Sequence, residues 1–305
     1  MVTYRRFLTL ALFLALCGLA TAGTYSSLVV YGDSLSDFGN LYAVAGQPGP
    51  PYYAPGRASN GPLAVEDLAA MLGTPIFNYA FGGATTGIGN HLDGGSPTNF
   101  CSVGLTGMTT LFDKSVADGI GALAPSALFM VWGGPDDFLS PAPADGGDPI
   151  QIANRAVDDL VGIVNGLVGI GAQHILVPGM PDLGLTPYLH DPAYSVLTDY
   201  FNARLLSKLP SGVMYFDTAG LMRQIVAHPA AYGFTDVAGF CTDAKTYVCP
   251  NPNDYLFYDD FHPSARGHQI LADGFLTTVV PEPSTAVLVV AAAGLLAVVR
   301  RRIRV

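Results

Sequence analysis

The sequence predicts an α/β fold: a three-layer α/β/α sandwich on a mainly parallel five-stranded sheet, flavodoxin-like in the wide sense. Three observations carry this expectation. Apolar runs too short to be helices recur along the chain. Their hydrophobicity is unbroken rather than alternating, as expected of strands covered on both faces. Amphipathic patterns separate them, and right-handed crossovers turn such an alternation into one parallel sheet with helices on either side.

In chain order, the strands are expected at residues 27–31, 76–79, 127–132, 174–178 and 213–216. The first helix is expected at 62–72, where Leu63, Leu68 and Leu72 form the apolar stripe, and the longest at 150–170. Helices at 195–209, 221–227 and 265–276 complete the set. Segments 41–59, 87–108 and 228–254 are rich in Gly, Pro, Tyr and Asn. They are long for connections in a compact domain, so they are expected to line or cover a site. No internal repeat is visible, which speaks against a structural cell-wall component.

Both ends have the character of targeting segments. Arg5-Arg6 precede the apolar run 7–16, and Ala20-Thr21-Ala22 offers small residues for cleavage before Gly23. Residues 1–22 therefore read as a secretory signal peptide, with an apolar run too short for a membrane anchor. Cys17 follows the bulky Leu16, which argues against a lipoprotein site. At the other end, Val280-Pro281-Glu282-Pro283 leads into an apolar run, 284–299, followed by Arg300-Arg301-Arg302. As a helix that run rises about 24 Å, just short of a hydrocarbon core near 30 Å, and snorkelling arginines close the gap on the cytoplasmic side.

Residues 23–280 remain as one large domain. They carry 23 acidic against 8 basic residues. Without a basic patch, nucleic acid is not expected as a partner. Cys241 and Cys249 enclose a short Asp/Lys/Thr loop, and export permits a disulfide between them, leaving Cys101 as the odd cysteine. No His/Cys cluster has metal-ligand spacing, so neither a metal nor another cofactor is expected.

The chemistry concentrates at two places. Gly32-Asp33-Ser34-Leu35-Ser36-Asp37 follows the first strand directly, so Ser34 sits where a parallel sheet binds ligands and where helix-start amides face a developing anion. Taken alone, the run is equally an ordinary Asp/Ser helix cap. Near the other end, Asp259-Asp260-Phe261-His262-Pro263 places an acid three residues before a histidine. Together the two runs supply a nucleophile, a base and a carboxylate to orient the base.

With Asn78-Tyr79-Ala80-Phe81-Gly82-Gly83-Ala84-Thr85 and Trp132-Gly133-Gly134-Pro135-Asp136-Asp137 between them, these runs form four blocks in order. The chain resembles the GDSL esterases and lipases of the SGNH hydrolase superfamily over residues 26–277. The resemblance implies Ser34 as nucleophile, His262 as base and Asp259, rather than the adjacent Asp260, as the orienting acid. It also implies an oxyanion hole built from the Ser34 amide, the Gly83 amide and a third donor. The family's third donor is an asparagine side chain, and here that position holds Asp136. An amide donates to an oxyanion, whereas an ionised carboxylate only accepts. Loss of one such donor costs about 10²–10³ in turnover. Burial that keeps Asp136 protonated would restore a donor, so a weakened esterase favoured below neutral pH is expected, within a window narrowed by the need for a neutral His262 as base.

Asp37 and Asn40 are expected to organise the Ser34 turn, and Arg57-Ala58-Ser59-Asn60-Gly61-Pro62 resembles a family stretch beside the site. Asp182 and Leu183, after the fourth strand, read either as shaping the acyl pocket or as plain loop structure. Trp132 is expected in the core. The carboxyl-terminal segment 281–305 resembles a PEP-CTERM sorting signal, which implies cleavage by an exosortase-type membrane transpeptidase after transient anchoring through a short transmembrane helix. The reading is thus a secreted serine ester hydrolase at the cell surface. Its substrate would be a small-molecule or lipid ester, or an acetylated exopolysaccharide. The alternative is a catalytically impaired surface protein that keeps a ligand cleft.

Overall fold

The computed structural model describes residues 25–101 and 104–280. The expected signal peptide and the expected transmembrane run at 284–299 both lie outside the described residues, and no described helix is long and apolar enough to cross a membrane.

Five parallel strands form the central sheet: β1 (Leu28–Gly32), β2 (Ile76–Asn78), β3 (Leu128–Trp132), β4 (His174–Pro178) and β5 (Met214–Phe216). Their spatial order is β2-β1-β3-β4-β5, and each lies within two residues of its expected boundaries. Alternation along the strands divides the core. Val29, Tyr31, Phe129 and Val131 face one layer, while Leu28, Val30, Leu128, Met130 and Trp132 face the other. Both sets are buried, which explains why these runs show no polar face in the sequence.

Nine helices are described: α1 (Asn40–Ala45), α2 (Ala64–Leu72), α3 (Met108–Ala117), α4 (Pro135–Leu139), α5 (Pro149–Gly169), α6 (Pro192–Lys208), α7 (Thr218–Ala227), α8 (Pro229–Tyr232) and α9 (Ala265–Val279). Helices α3, α5 and α6 cover the first face, and α2 and α9 the second. Starts at α5 and α6 are set by Asp148 and Asp191, which accept from Ile150 and Ala193 amides ahead of an N1 proline. That cap moves α6 one turn earlier than its apolar pattern indicates.

Three features differ from expectation. Helix α3 follows Gly107 in a stretch with no assigned helix, because only Met108, Leu111 and Ser115 of its ten residues are buried. Segments 41–59 and 228–254 are not bare loops: they contain most of α1, all of α8 and strand β6 (Asp236–Phe240). Strand β6 pairs in parallel with β7 (Tyr255–Phe257), a second small sheet too short and too exposed on one side to show a hydrophobic period.

Topology fixes where a site can form. From β1 the chain goes outward to β2, then returns to β3 on the other side of β1. The carboxyl ends of β1 and β3 therefore flank the crevice where an open parallel sheet binds ligands. Gly32 and Trp132 are in register at that edge. A Cβ on Gly32 would lie 2.7 Å from the Trp132 carbonyl oxygen, so only glycine lets the two strand ends approach this closely.

Candidate active site

Ser34 follows β1 by two residues, in a turn closed by Asp33, whose Oδ1 accepts from the Leu35 amide at 2.9 Å. His262 arrives from the far end of the chain, between β7 and α9. Its Nε2 lies 2.8 Å from Ser34 Oγ, although 228 positions separate them. On the other side of the ring, Nδ1 lies 2.8 and 2.9 Å from the two oxygens of Asp259. Asp259 Oδ1 also accepts from the Phe261 and His262 amides, so the acid and the imidazole share one tight turn. Asp260 touches no ring atom of His262; its carbonyl accepts from the Tyr188 amide instead.

Two forces act on this pair in opposite directions. Burial pushes the Asp259 carboxyl up, but the facing imidazole and three hydrogen bonds outweigh it and hold the group below its ordinary value. For His262 burial acts downward, while Asp259, then Asp33 and Asp260, act upward; the net direction is up.

Sequence reasoning missed a third contact to the acid. Tyr53 Oη donates to Asp259 Oδ2 at 2.8 Å. Tyr53 lies in the Pro/Gly-rich segment 41–59, where no period or motif marks it. Its ring packs edge-on against Tyr258, at 5.6 Å between centroids.

Gly83 lies beyond the end of β2 with φ +77°, where any side chain is strained, and a Cβ there would meet Asn90 Oδ1 at 2.5 Å. The segment is held from two directions. Asp37 Oδ2 accepts from the Gly82 amide at 2.8 Å, and Asn90 Nδ2 donates to the Gly82 carbonyl at 2.8 Å. Asn40 donates to the carbonyls of Asn78 and Ala80. Asp37 and Asn40 thus tie the Ser34 turn to the glycine turn. The amides of Ser34 and Gly83 have no acceptor among the described residues.

Asp136 is the second residue of α4, at the end of β3, and is buried. Burial first, then Asp33 and Asp137, push its carboxyl well above the ordinary range. Asp33 is itself raised to about 6 by burial, and its Oδ2 has no hydrogen-bond partner. Asp137 differs: Thr86 Oγ1 and Arg155 donate to its Oδ1 at 2.8 and 3.1 Å. His91, which the sequence reading did not single out, reaches Asp136, with Nε2 3.3 Å from Oδ1.

A cavity of about 850 Å³ joins these groups. Ser34, Gly83, His91, Asp136 and His262 line one end, and Leu41, Leu92, Phe138, Leu183, Leu189, Met222 and Phe261 form much of the remaining wall. Leu183 lines the cavity, and Asp182 does not. Its carboxylate accepts from Gly184 and Ser195 and pairs with Arg223 at 2.6 Å, so it is a cap and an ion-pair partner. Trp132 is buried and donates to the Gly179 carbonyl. Arg57 pairs with Glu66 at the start of α2, and Asn60 accepts from the Ala265 amide at the start of α9. Cys241 and Cys249 form a disulfide, and Cys101 is free and exposed. No group of three or more potential metal ligands occurs among the described residues.

Comparison with known proteins identifies the family. A family model described as GDSL-like Lipase/Acylhydrolase matches residues 28–275, and a PEP-CTERM protein-sorting motif matches residues 279–304. Esterase EstA of Pseudomonas aeruginosa is 29% identical over 309 residues, covering 83% of this chain and 47% of its own length. The chain thus spans about half the length of that relative. A phosphatidylcholine-sterol acyltransferase of Aeromonas hydrophila is 30% identical, covering 71% of this chain and 65% of its own length. Among solved structures, LAE5, an alpha/beta hydrolase enzyme from the metagenome of Lake Arreo, superposes with a TM-score of 0.50 at 16% identity. It covers 87% of this chain and 100% of that one.

Proposed function

This chain belongs to the GDSL-like lipase/acylhydrolase family, and on that premise we propose that it is a serine hydrolase of carboxylic esters working through an acyl-enzyme on Ser34. One observation carries the reading. Asp259, His262 and Ser34 form an unbroken line, with 2.8 Å on either side of the imidazole, opening into an apolar cavity.

The chemistry follows from that line. Ser34 Oγ attacks the ester carbonyl carbon while its proton passes to His262 Nε2, and the carbonyl π pair moves onto oxygen. The Ser34 and Gly83 amides face that oxyanion. Collapse of the tetrahedral species breaks the bond to the alcohol oxygen, which leaves with the proton from His262. Water then attacks the acyl-serine, its proton taken by the same imidazole; the bond from the acyl carbon to Oγ breaks and that proton returns to Ser34, so ester and water become acid and alcohol. Asp136 weakens the oxyanion site whenever it is ionised. Its burial and its acidic neighbours favour the protonated form, which donates.

The substrate is an ester with an apolar acyl part, since the cavity wall beyond Ser34 is chiefly aliphatic and aromatic. A relative named as an esterase and another named as an acyltransferase support acyl-group chemistry. The sorting-motif match supports export, exosortase cleavage near residue 281 and residence at the cell envelope.

One experiment addresses both proposals: intact mass spectrometry of the full chain made in an exosortase-bearing host, with and without a fluorophosphonate probe. The expected result is one probe per chain, lost in Ser34→Ala, on a protein lacking its arginine-rich end. Absence of labelling between pH 5 and 9 would instead support a catalytically impaired binding protein, the reading that Asp136 favours. An intact tail would sink the processing proposal.

A further inference from the structure

Asp136 stands where an amide donor is expected, and the structure gives it a neighbour that the motif comparison does not supply. His91 lies in the short turn His91–Asp93 and lines the cavity. Its backbone amide donates to the Gly83 carbonyl at 2.9 Å, and its ring nitrogen Nε2 lies 3.3 Å from Asp136 Oδ1. One residue therefore touches both the glycine turn and the carboxyl group that flank the oxyanion position. The preceding Asn90 fixes that residue's path: Asn90 donates to the Gly82 carbonyl and accepts from the Leu92 amide.

We propose that His91 is a positioning residue of the oxyanion site: its imidazole stands against Asp136 Oδ1, and an N–H given to that oxygen leaves Oδ2 to donate towards the substrate. This rests on the hydrolase reading above. The charged groups around Asp136 are consistent with it. Asp33, from the β1 turn, and Asp137, from α4 itself, both oppose ionisation of Asp136, and Arg155 serves Asp137, Asp145 and Asp159 rather than Asp136. His91 is the cationic-type side chain within ion-pair distance of Asp136 among the described residues. It is held below its ordinary value, by burial first and then by His262, so it meets Asp136 as a neutral imidazole. A neutral imidazole beside a protonated carboxyl adds no net charge to the site, whereas an ionised Asp136 would repel the oxyanion.

The test is a double-mutant cycle on the full chain with a p-nitrophenyl ester, reading kcat and KM separately. His91→Ala is expected to lower kcat at least tenfold with KM within twofold, and His91→Gln, which keeps an N–H donor, to recover part of that loss. In the Asp136→Asn background the amide donates without help, so His91→Ala is expected to cost less than threefold. Equal losses in both backgrounds, or a loss confined to KM, would overturn the inference and leave the hydrolase reading standing. Should His91→Ala fail to fold by circular dichroism, His91→Gln carries the cycle: a partial loss of kcat that shrinks in the Asp136→Asn background supports the positioning role, and no loss, or an equal loss in both backgrounds, overturns it. Turnover that survives Ser34→Ala in the same assay would overturn the hydrolase reading itself.

Discussion

At the scale of single residues, the site divides into what a motif marks and what only the folded path brings in. Ser34, Asp259 and His262 were legible because a strand end and a three-residue acid-to-histidine spacing are local features. Tyr53 and His91 were not, since each sits in a segment without period and reaches its partner only once the chain has closed over the sheet. Tyr53 nonetheless holds Asp259 Oδ2. Replacing it with phenylalanine removes one donor to a charged acceptor, while the Phe261 and His262 amides remain. The expected cost to kcat is about three- to tenfold, with KM little changed. The pH profile supplies the sign. In the proposed mechanism His262 acts as a base only when neutral, and its pKa is raised above 6.5, so kcat/KM is expected to fall as pH drops through a value above 6.5. In Tyr53→Phe, Asp259 keeps more charge for the imidazole, and that acidic limb moves to higher pH. A limb at or below 6.5 in the unmodified protein, or one that moves down in the variant, would contradict this account.

At the scale of elements, legibility followed burial. Strands β1 and β3, covered on both faces, stood out as apolar runs, and α5 and α9 as long stripes. Helix α3 and strands β6 and β7 are short and partly exposed, so their identity comes from what they pack against rather than from their own pattern. The β6–β7 unit matters because the segment carrying Asp259 and His262 starts from β7. The Cys241–Cys249 disulfide closes a short loop between those strands, and the Cys241 and Thr242 amides both donate to the Tyr258 carbonyl, one residue before Asp259. Closing a loop of this length removes roughly 2–3 kcal/mol of unfolded-state entropy. The double Cys→Ser variant at 241 and 249 is therefore expected to melt about 5–10 °C lower by calorimetry for a domain of this size. Because the loop abuts the turn proposed to carry the acid and the base, kcat is expected to fall with it. An unchanged Tm would mean that the β6–β7 pairing alone secures the turn.

At the scale of the whole molecule, the sheet's switch point decides where chemistry occurs, and the three irregular segments decide what fits there. All three reach the cavity: Leu41 and Tyr53 from the first, Leu92 from the second, and Ala244 from the third, in the disulfide loop. Leu183, Leu189 and Met222, which follow β4 and β5 in the chain, line it as well. The sequence placed these segments over the site but gave no measure of the space beneath them, because cavity volume is a property of packing between distant elements. About 850 Å³ is near the upper end for small-molecule pockets and far exceeds what an acetyl group occupies. Each methylene moved from water into such a wall contributes about 0.8 kcal/mol, or roughly fourfold in kcat/KM when it is bound in the transition state. Along a p-nitrophenyl series from acetate to octanoate, kcat/KM is expected to climb by about that factor per methylene before it levels off as the wall is filled. Phe138 and Leu183 line the path, so Leu183→Trp should move the optimum to shorter chains while leaving acetate turnover within a few-fold. If acetate is the best substrate and chain length lowers kcat/KM throughout, the apolar wall is not an acyl site. The acetyl-polysaccharide alternative then gains, with the cavity left to hold the alcohol side of the ester.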